Sequence, residues 1–318
     1  MTQGNLTPEQ QKLAARAAAS PIAGLILNIQ GSPFKAAPER EKELDRLRTQ
    51  LGVTIELAWP GTDFLIGVYP GSSKITVGLC TLERLWAYAY GYYATYLLSD
   101  KLEAATMAQR PQPIADLLHW AHTGALSTIE SPWPNGSPRS DQPESGEHIP
   151  DVNEIFLLMT AWLLLHELRH ISNSDCYDMD PSRSDFNHAI EFEADRWAFS
   201  FIMDHWKGYS PDSRVFIKRG LGIAFAMIIL SADRFYKGGR MNSHTHPHVV
   251  DRLLRFFEYL RDHFSNMSVE VARIEFAACS CLFGLVALQV PNERLQIKFR
   301  STEDCMAWVR QHFAPINL

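Results

Sequence analysis

The chain lacks most of the marks that would classify it quickly. No long basic run or stripe is present, and Lys plus Arg total 30 against 36 Asp plus Glu over 318 residues, a net charge of −6. That balance argues against a protein built mainly to grip nucleic acid. The five cysteines, Cys80, Cys176, Cys279, Cys281 and Cys305, are odd in number and form no C-x-x-C pair. Neither a disulfide framework nor a cysteine zinc cage is therefore expected, whereas buried thiols in a reducing compartment are. The opening "MTQGNLTPEQQKLAARAAAS" has no charged-then-apolar leader pattern. The longest apolar runs, "IFLLMTAWLLL" from Ile155 and "FAACSCLFGLVAL" from Phe276, fall short of a bilayer span and read as buried helices. The expectation is a cytoplasmic protein without a membrane span. There is also no G-x-S-x-G elbow and no P-loop, and "GLGIAFA" at 220–226 departs from G-x-G-x-x-G, reading instead as close helix packing. No cysteine has a partner at a spacing that would make it a nucleophile.

What is present is enough apolar sequence, 46%, to bury a substantial core. "TPEQQKLAARAAA" starts with Thr7 as a cap and Pro8 in the first helical position, so it reads as a helix. "PEREKELDRLRTQLG" reads as an exposed charged helix stopped by Gly52. The period then changes: "VTIELAW", "FLIGVY" and "SKITVGL" are short β-branched and aromatic runs separated by "PGTD" and "PGS", which predicts a small antiparallel sheet of two or three strands. From Thr81 a helical pattern returns, with Leu85, Tyr88 and Tyr92 as a core stripe. These elements make an N-terminal α+β region over 1–122. Residues 123–150, rich in Pro, Ser and Gly, read as a loop that is either a lid or a connector, and its Trp133 is either exposed or a packed anchor. Helices follow near 152–172, 188–207, 214–236, 248–264 and 269–289, forming a helical part over 151–318 that is expected to fold continuously with the first.

The chemistry concentrates in "AWLLLHELRHISN". His166, Glu167 and His170 form H-E-x-x-H at the end of an apolar helix. At 3.6 residues per turn the two histidines share a face, one turn apart, and both can reach one ion. Glu167 is offset from that face, near where a metal-activated water would sit, which suits a general base.

Downstream, "HAIEFEADRWAFSFIMDHW" supplies a third ligand. Glu191 follows His170 by 21 positions, and His188, Glu191 and Asp195 share one helical face, while Glu193 lies about 200° round from Glu191. Glu191 completes a two-His, one-Glu set with an open fourth position. His188 competes for that role and ranks second, because an extra carboxylate beside the metal would then have none. Asp195, one turn on, can accept a ligand histidine's other ring N–H. A further element, "SHTHPHVVDRLLRFF", carries His246 and Arg252 in H-P-x-x-x-x-R at a helix entrance. His246 can donate to a developing oxyanion and Arg252 can orient a carboxylate or the substrate backbone. His244 and His248 lie close by. The fold expected from these features is α+β and mostly helical, with the small antiparallel sheet packed on a zincin-like helical metallopeptidase core.

"GSPFKAAPEREKEL", "LERLWAYAYGYYATY", "LLHWAH", "NEIFLLMTAWLLLHELRHI", "EFEAD", "RGLGIAFAM" and "THPHVVDRL" occur in an order that resembles the Lit family of prophage-encoded phage-exclusion peptidases, from about residue 20 to about residue 260. The resemblance implies that His166 and His170 bind one Zn2+ and that Glu167 is the catalytic glutamate. It also implies cleavage of host elongation factor Tu, triggered by a phage capsid peptide, so that translation stops. The E-x-x-A-D and H-P-x-x-x-x-R elements resemble those of HtpX-type membrane peptidases as well, which implies Glu191 as third ligand and His246 and Arg252 as substrate-stabilising groups. Two other readings remain beside this one: a catalytically silent zinc scaffold that senses a phage product, and a general cytoplasmic metallopeptidase.

Overall fold

The computed structural model describes residues 7–58, 66–68, 71–99, 112–123, 132–142, 148–175, 184–204, 212–236, 246–287 and 299–312. Its α-helices are α1 (Pro8–Ala18), α2 (Ala23–Ile26), α3 (Ser32–Ala36), α4 (Glu41–Leu51), α5 (Leu79–Ser99), α6 (Gln112–Thr123), α7 (Ile149–Asn173), α8 (Ser184–Met203), α9 (Ser213–Tyr236), α10 (Val249–His263), α11 (Ser268–Ala287) and α12 (Thr302–His312). Three strands, β1 (Thr54–Ala58), β2 (Ile66–Val68) and β3 (Lys74–Gly78), lie between α4 and α5. The protein is thus α+β and mostly helical.

Local chemistry sets several of these boundaries. Thr7 caps α1 through a reciprocal box with Gln10, and Pro8 fills the first helical position, where its missing N–H costs nothing. Gly52 ends α4 at φ 62, a left-handed conformation that a Cβ would strain. Leu85, Tyr88 and Tyr92 are buried on α5, as their spacing predicts.

The sheet is mixed rather than wholly antiparallel, with strand order β1-β3-β2. β2 and β3 form an antiparallel pair with Ile66 opposite Val77, joined through a turn that holds Gly71 at φ 79. That hairpin occupies one edge of β3 and leaves the other to β1, which runs parallel with Thr54 opposite Lys74. The connection from β1 to β3 is long enough for such a crossover, which a short hairpin loop is not. Ile75 and Val77 face inward from the central strand.

α7 is the axis of the molecule. It packs against α3, α5, α8, α9 and the sheet, and its 25 residues are long and apolar enough, by length and composition, to cross a membrane. Most of that surface is buried inside the protein instead. α9 approaches α7 closely at Gly222, where an added Cβ would come within 2.6 Å of Leu158 Cβ. The glycines of "GLGIAFA" therefore serve helix packing. The described part of the 123–150 loop, 132–142, is docked rather than free. Ser140 N donates to Pro21 O at 3.0 Å, Arg139 donates to Ser20 O at 3.0 Å, and the Trp133 ring meets Trp86 and Trp120 at 5.9 and 4.8 Å. Trp133 is a packed anchor. Residues 124–131, 143–147 and His244 lie outside the described residues.

Gly222→Ala is expected to lower the urea midpoint, with a net loss of up to about 2 kcal/mol in stability, because overpacking against Leu158 costs about 1–3 kcal/mol and the helix-propensity gain offsets only about 1 kcal/mol. Gly24→Ala, with nothing within 4 Å of the new Cβ, is the control and should leave the midpoint unchanged or raise it.

Candidate metal centre

α7 delivers both histidines from its buried last turns. The His166 and His170 Nε2 atoms face each other at 3.0 Å, and Glu191 reaches in from α8, with Oε2 3.4 Å from His166 Nε2 and Oε1 3.6 Å from His170 Nε2. One ligand atom from each of the three lies within 4.8 Å of the others, and all three residues are buried. Of the two candidates for third ligand, the structure brings Glu191 to the histidines. His188, half-buried on the same helix, is not part of the cluster.

The opposite ring nitrogens explain the orientation of the pair. His170 Nδ1 hydrogen-bonds Asp175 Oδ1 at 2.8 Å, and Asp195 Oδ1 lies 3.0 Å from His166 Nδ1, in contact but not aligned as a hydrogen bond. A carboxylate beside each Nδ1 favours its proton there, so both Nε2 lone pairs point into the same space as the Glu191 carboxylate. Glu191 Oε2 is itself buried without a hydrogen-bond donor. Three converging lone-pair donors repel one another unless a cation sits among them. The charge balance agrees: Glu191, Asp195 and Asp175 are buried carboxylates, and Arg252 is the buried guanidinium beside them. That leaves two negative charges, which a divalent ion held by nitrogen and oxygen ligands neutralises. Where no ion is bound, the same surplus of negative charge draws a proton instead. Burial opposes charging His166, yet Asp195 and Glu191 lift its pKa to about 10. Burial likewise opposes ionising Glu191, but His246, His166 and Arg252 hold its carboxyl well below the usual range.

Glu167 sits beside this cluster, half-buried. Burial pushes its pKa up, against the pull of His166 and His170, and the backbone N–H of Val68 donates to its carboxylate. A carboxylate raised from its ordinary range is the better proton acceptor near neutrality. Val68 lies on β2, the outer strand of the sheet among the described residues, so β2 passes beside the cluster where it packs on α7. His246 stands at the rim, its side chain 34% exposed and Nε2 3.5 Å from Glu191 Oε1. His248 instead caps α10, accepting from Val250 N.

Of the two roles the sequence allows Arg252, orienting a carboxylate or the substrate backbone, the geometry shows the first. It is buried, donates from Nε to Asp195 Oδ2 at 2.7 Å and from Nη2 to Asp195 Oδ1, and lies over the Trp162 ring at 5.5 Å. The carboxylate it orients is that of Asp195, so it acts on His166 from behind. Glu193, which spacing turns away from the site, pairs with Arg169 at 2.6 Å and accepts from Asn173. Asp175 was not legible from periodicity, because it follows the helix end. Ser174, at φ 57, is the sole non-glycine residue with positive φ among the described residues, and it folds the chain so that Asp175 meets His170. Such strain, of order 1–3 kcal/mol, persists where the surroundings impose it.

Asp175→Asn should weaken metal binding by about 10- to 100-fold while leaving the thermal midpoint of the metal-free protein little changed. Chelator competition reads the first and calorimetry the second; unchanged affinity would remove Asp175 from the site.

The sequence model of the family described as Peptidase U49 matches residues 75–272, which carry every residue of the cluster. The chain is also similar to "Cell death peptidase" of Escherichia coli (strain K12), at 27% identity over 248 residues, 74% of this chain and 80% of that protein. No solved structure matches it. A match across more than half of the chain, centred on the H-E-x-x-H helix, shows that this protein belongs to the peptidase U49 family, the Lit-like peptidases that its motifs resemble.

Proposed function

We propose that the protein is a zinc-dependent endopeptidase of the phage-exclusion type, acting in the cytoplasm on elongation factor Tu when a phage capsid peptide marks infection, so that translation stops. The observation that carries the metallopeptidase reading is the convergence of His166, His170 and Glu191 with Glu167 alongside. The cell-death role in the name of the Escherichia coli relative supports an activity directed at the cell itself. The substrate and the trigger rest on the resemblance to the Lit family.

When bound, zinc supplies Lewis acidity, lowering the pKa of water and polarising a carbonyl. Glu167 then takes the proton of the attacking water and passes it to the leaving amine. His246, exposed at the rim, donates to the oxygen on which negative charge develops. Asp175 and Asp195 keep the two ring nitrogens pointed inward, and Arg252 holds Asp195 in place. An extended substrate segment can lie beside β2, the outer strand among the described residues, where backbone hydrogen bonds would carry the chain past Glu167 without regard to side chain.

Glu167→Gln should retain one zinc per chain and the wild-type fold while losing proteolysis by at least about 100-fold, the share general-base catalysis contributes. Elemental analysis and cleavage assays run side by side check this; a variant that still cleaves at the wild-type rate contradicts the role. Elongation factor Tu incubated with capsid peptide should give one discrete fragment from wild type and none from Glu167→Gln. If wild-type protein carrying zinc gives no fragment with or without capsid peptide, the substrate assignment fails.

A further inference from the structure

α7 is buried from Ile155 to His166 except at Leu157 and Leu158. Those two side chains form the floor of an open groove of about 310 Å³ whose walls are α3 and α9. Val215 on α9, 40% exposed, extends the apolar surface to the rim. Four cations and one carboxylate, Glu154, line the groove. Lys218 is neutralised by Asp151 at 2.7 Å and by Glu154, and Arg219 by Glu39 at 2.8 Å. Lys35 on the α3 wall donates to the Asn28 amide oxygen, and neither Lys35 nor Arg214 on the α9 wall makes an ion pair among the described residues. An apolar floor therefore lies between two exposed cations that have no carboxylate partner among the described residues, on a chain whose net charge is −6.

We propose that this groove is a docking site for an acidic, apolar segment of the protein substrate, separate from the bond to be cut. Leucine-like side chains seat on Leu157, Leu158 and Val215, and flanking carboxylates pair with Lys35 and Arg214. Apolar surface flanked by cations that are not already paired favours a partner carrying carboxylates at the matching positions. The groove lies eight residues before His166 on the same helix, about 12 Å along its axis. A substrate held there is tethered near the cleavage site, which raises its local concentration without placing any bond in register. The inference rests on the peptidase reading only in naming the occupant as substrate.

The test uses the full chain carrying Glu167→Gln, so that no probe is cut, and a fluorescein-labelled, C-terminally amidated peptide Glu-Leu-Asp-Leu-Glu-Leu. Anisotropy should show binding that weakens as salt rises from about 0.1 to about 1 M, as the Debye length falls from about 10 to about 3 Å. Adding Lys35→Glu and Arg214→Glu should reduce affinity by about tenfold or more and create binding of Lys-Leu-Lys-Leu-Lys-Leu, which also shows that the variant is folded. Replacing the three leucines of the acidic peptide by glycine should abolish binding. Equal binding of the acidic peptide before and after charge reversal, undiminished binding of the glycine peptide, or no binding at all overturns the docking site. The two rim substitutions in active enzyme should raise KM for the protein substrate with kcat retained. Peptide binding that follows the expected pattern while no protein is cleaved would reject the catalytic reading alone, whereas cleavage with an unchanged KM would reject the docking site alone.

Discussion

Three carboxylates, two histidines and a guanidinium are taken out of water where α7, α8 and α10 meet, and the rest of the structure answers to that cost. An isolated buried charge is expensive by many kcal/mol, and a pair offsets this only when its geometry is good and its remaining lone pairs are satisfied. Arg252 meets Asp195 through two of its nitrogens, Asp195 touches His166, and Asp175 holds His170. Each group is placed by another, and the chain of contacts ends on Nε2 and carboxylate lone pairs that call for a cation. Breaking any link leaves its neighbour buried and unpaired, so the network demands helices that do not shift.

The core supplies that rigidity. α7 is apolar nearly all round because it is enclosed by helices and sheet, and α9 closes on it to backbone distance at Gly222. Side chains from Ile22 to Val309 form one continuous apolar cluster around it. The enclosure is incomplete at two places. At the C-terminal end of α7, His246 stands partly exposed beside the cluster. Nearer its middle, the burial lapses at Leu157 and Leu158, between the walls of α3 and α9. Both places lie on one helix, so their separation is fixed.

Helical period alone made the histidine pair legible, since positions four apart must share a face whatever surrounds them. The same period separated Glu191 from Glu193, which the fold uses for a surface pair with Arg169. Caps at Thr7 and Gly52 were readable because their causes are local: a side chain satisfying a free N–H, and a backbone angle that only glycine adopts easily. The three strands were visible in composition, but their order was not, because which edge of β3 receives β1 depends on where α4 and α5 are held.

The sequence by itself determined that a metal-capable His-Glu-x-x-His turn ends an apolar helix and that acidic positions follow it on a second. Only the tertiary structure decided that Glu191 rather than His188 meets the two histidines, that the carboxylate Arg252 orients is that of Asp195, and that Asp175 contacts His170. Contacts within one helix repeat with a fixed geometry, and sequence spacing records them. Contacts between helices depend on crossing angle, axial shift and the loops between, to which local periodicity is blind.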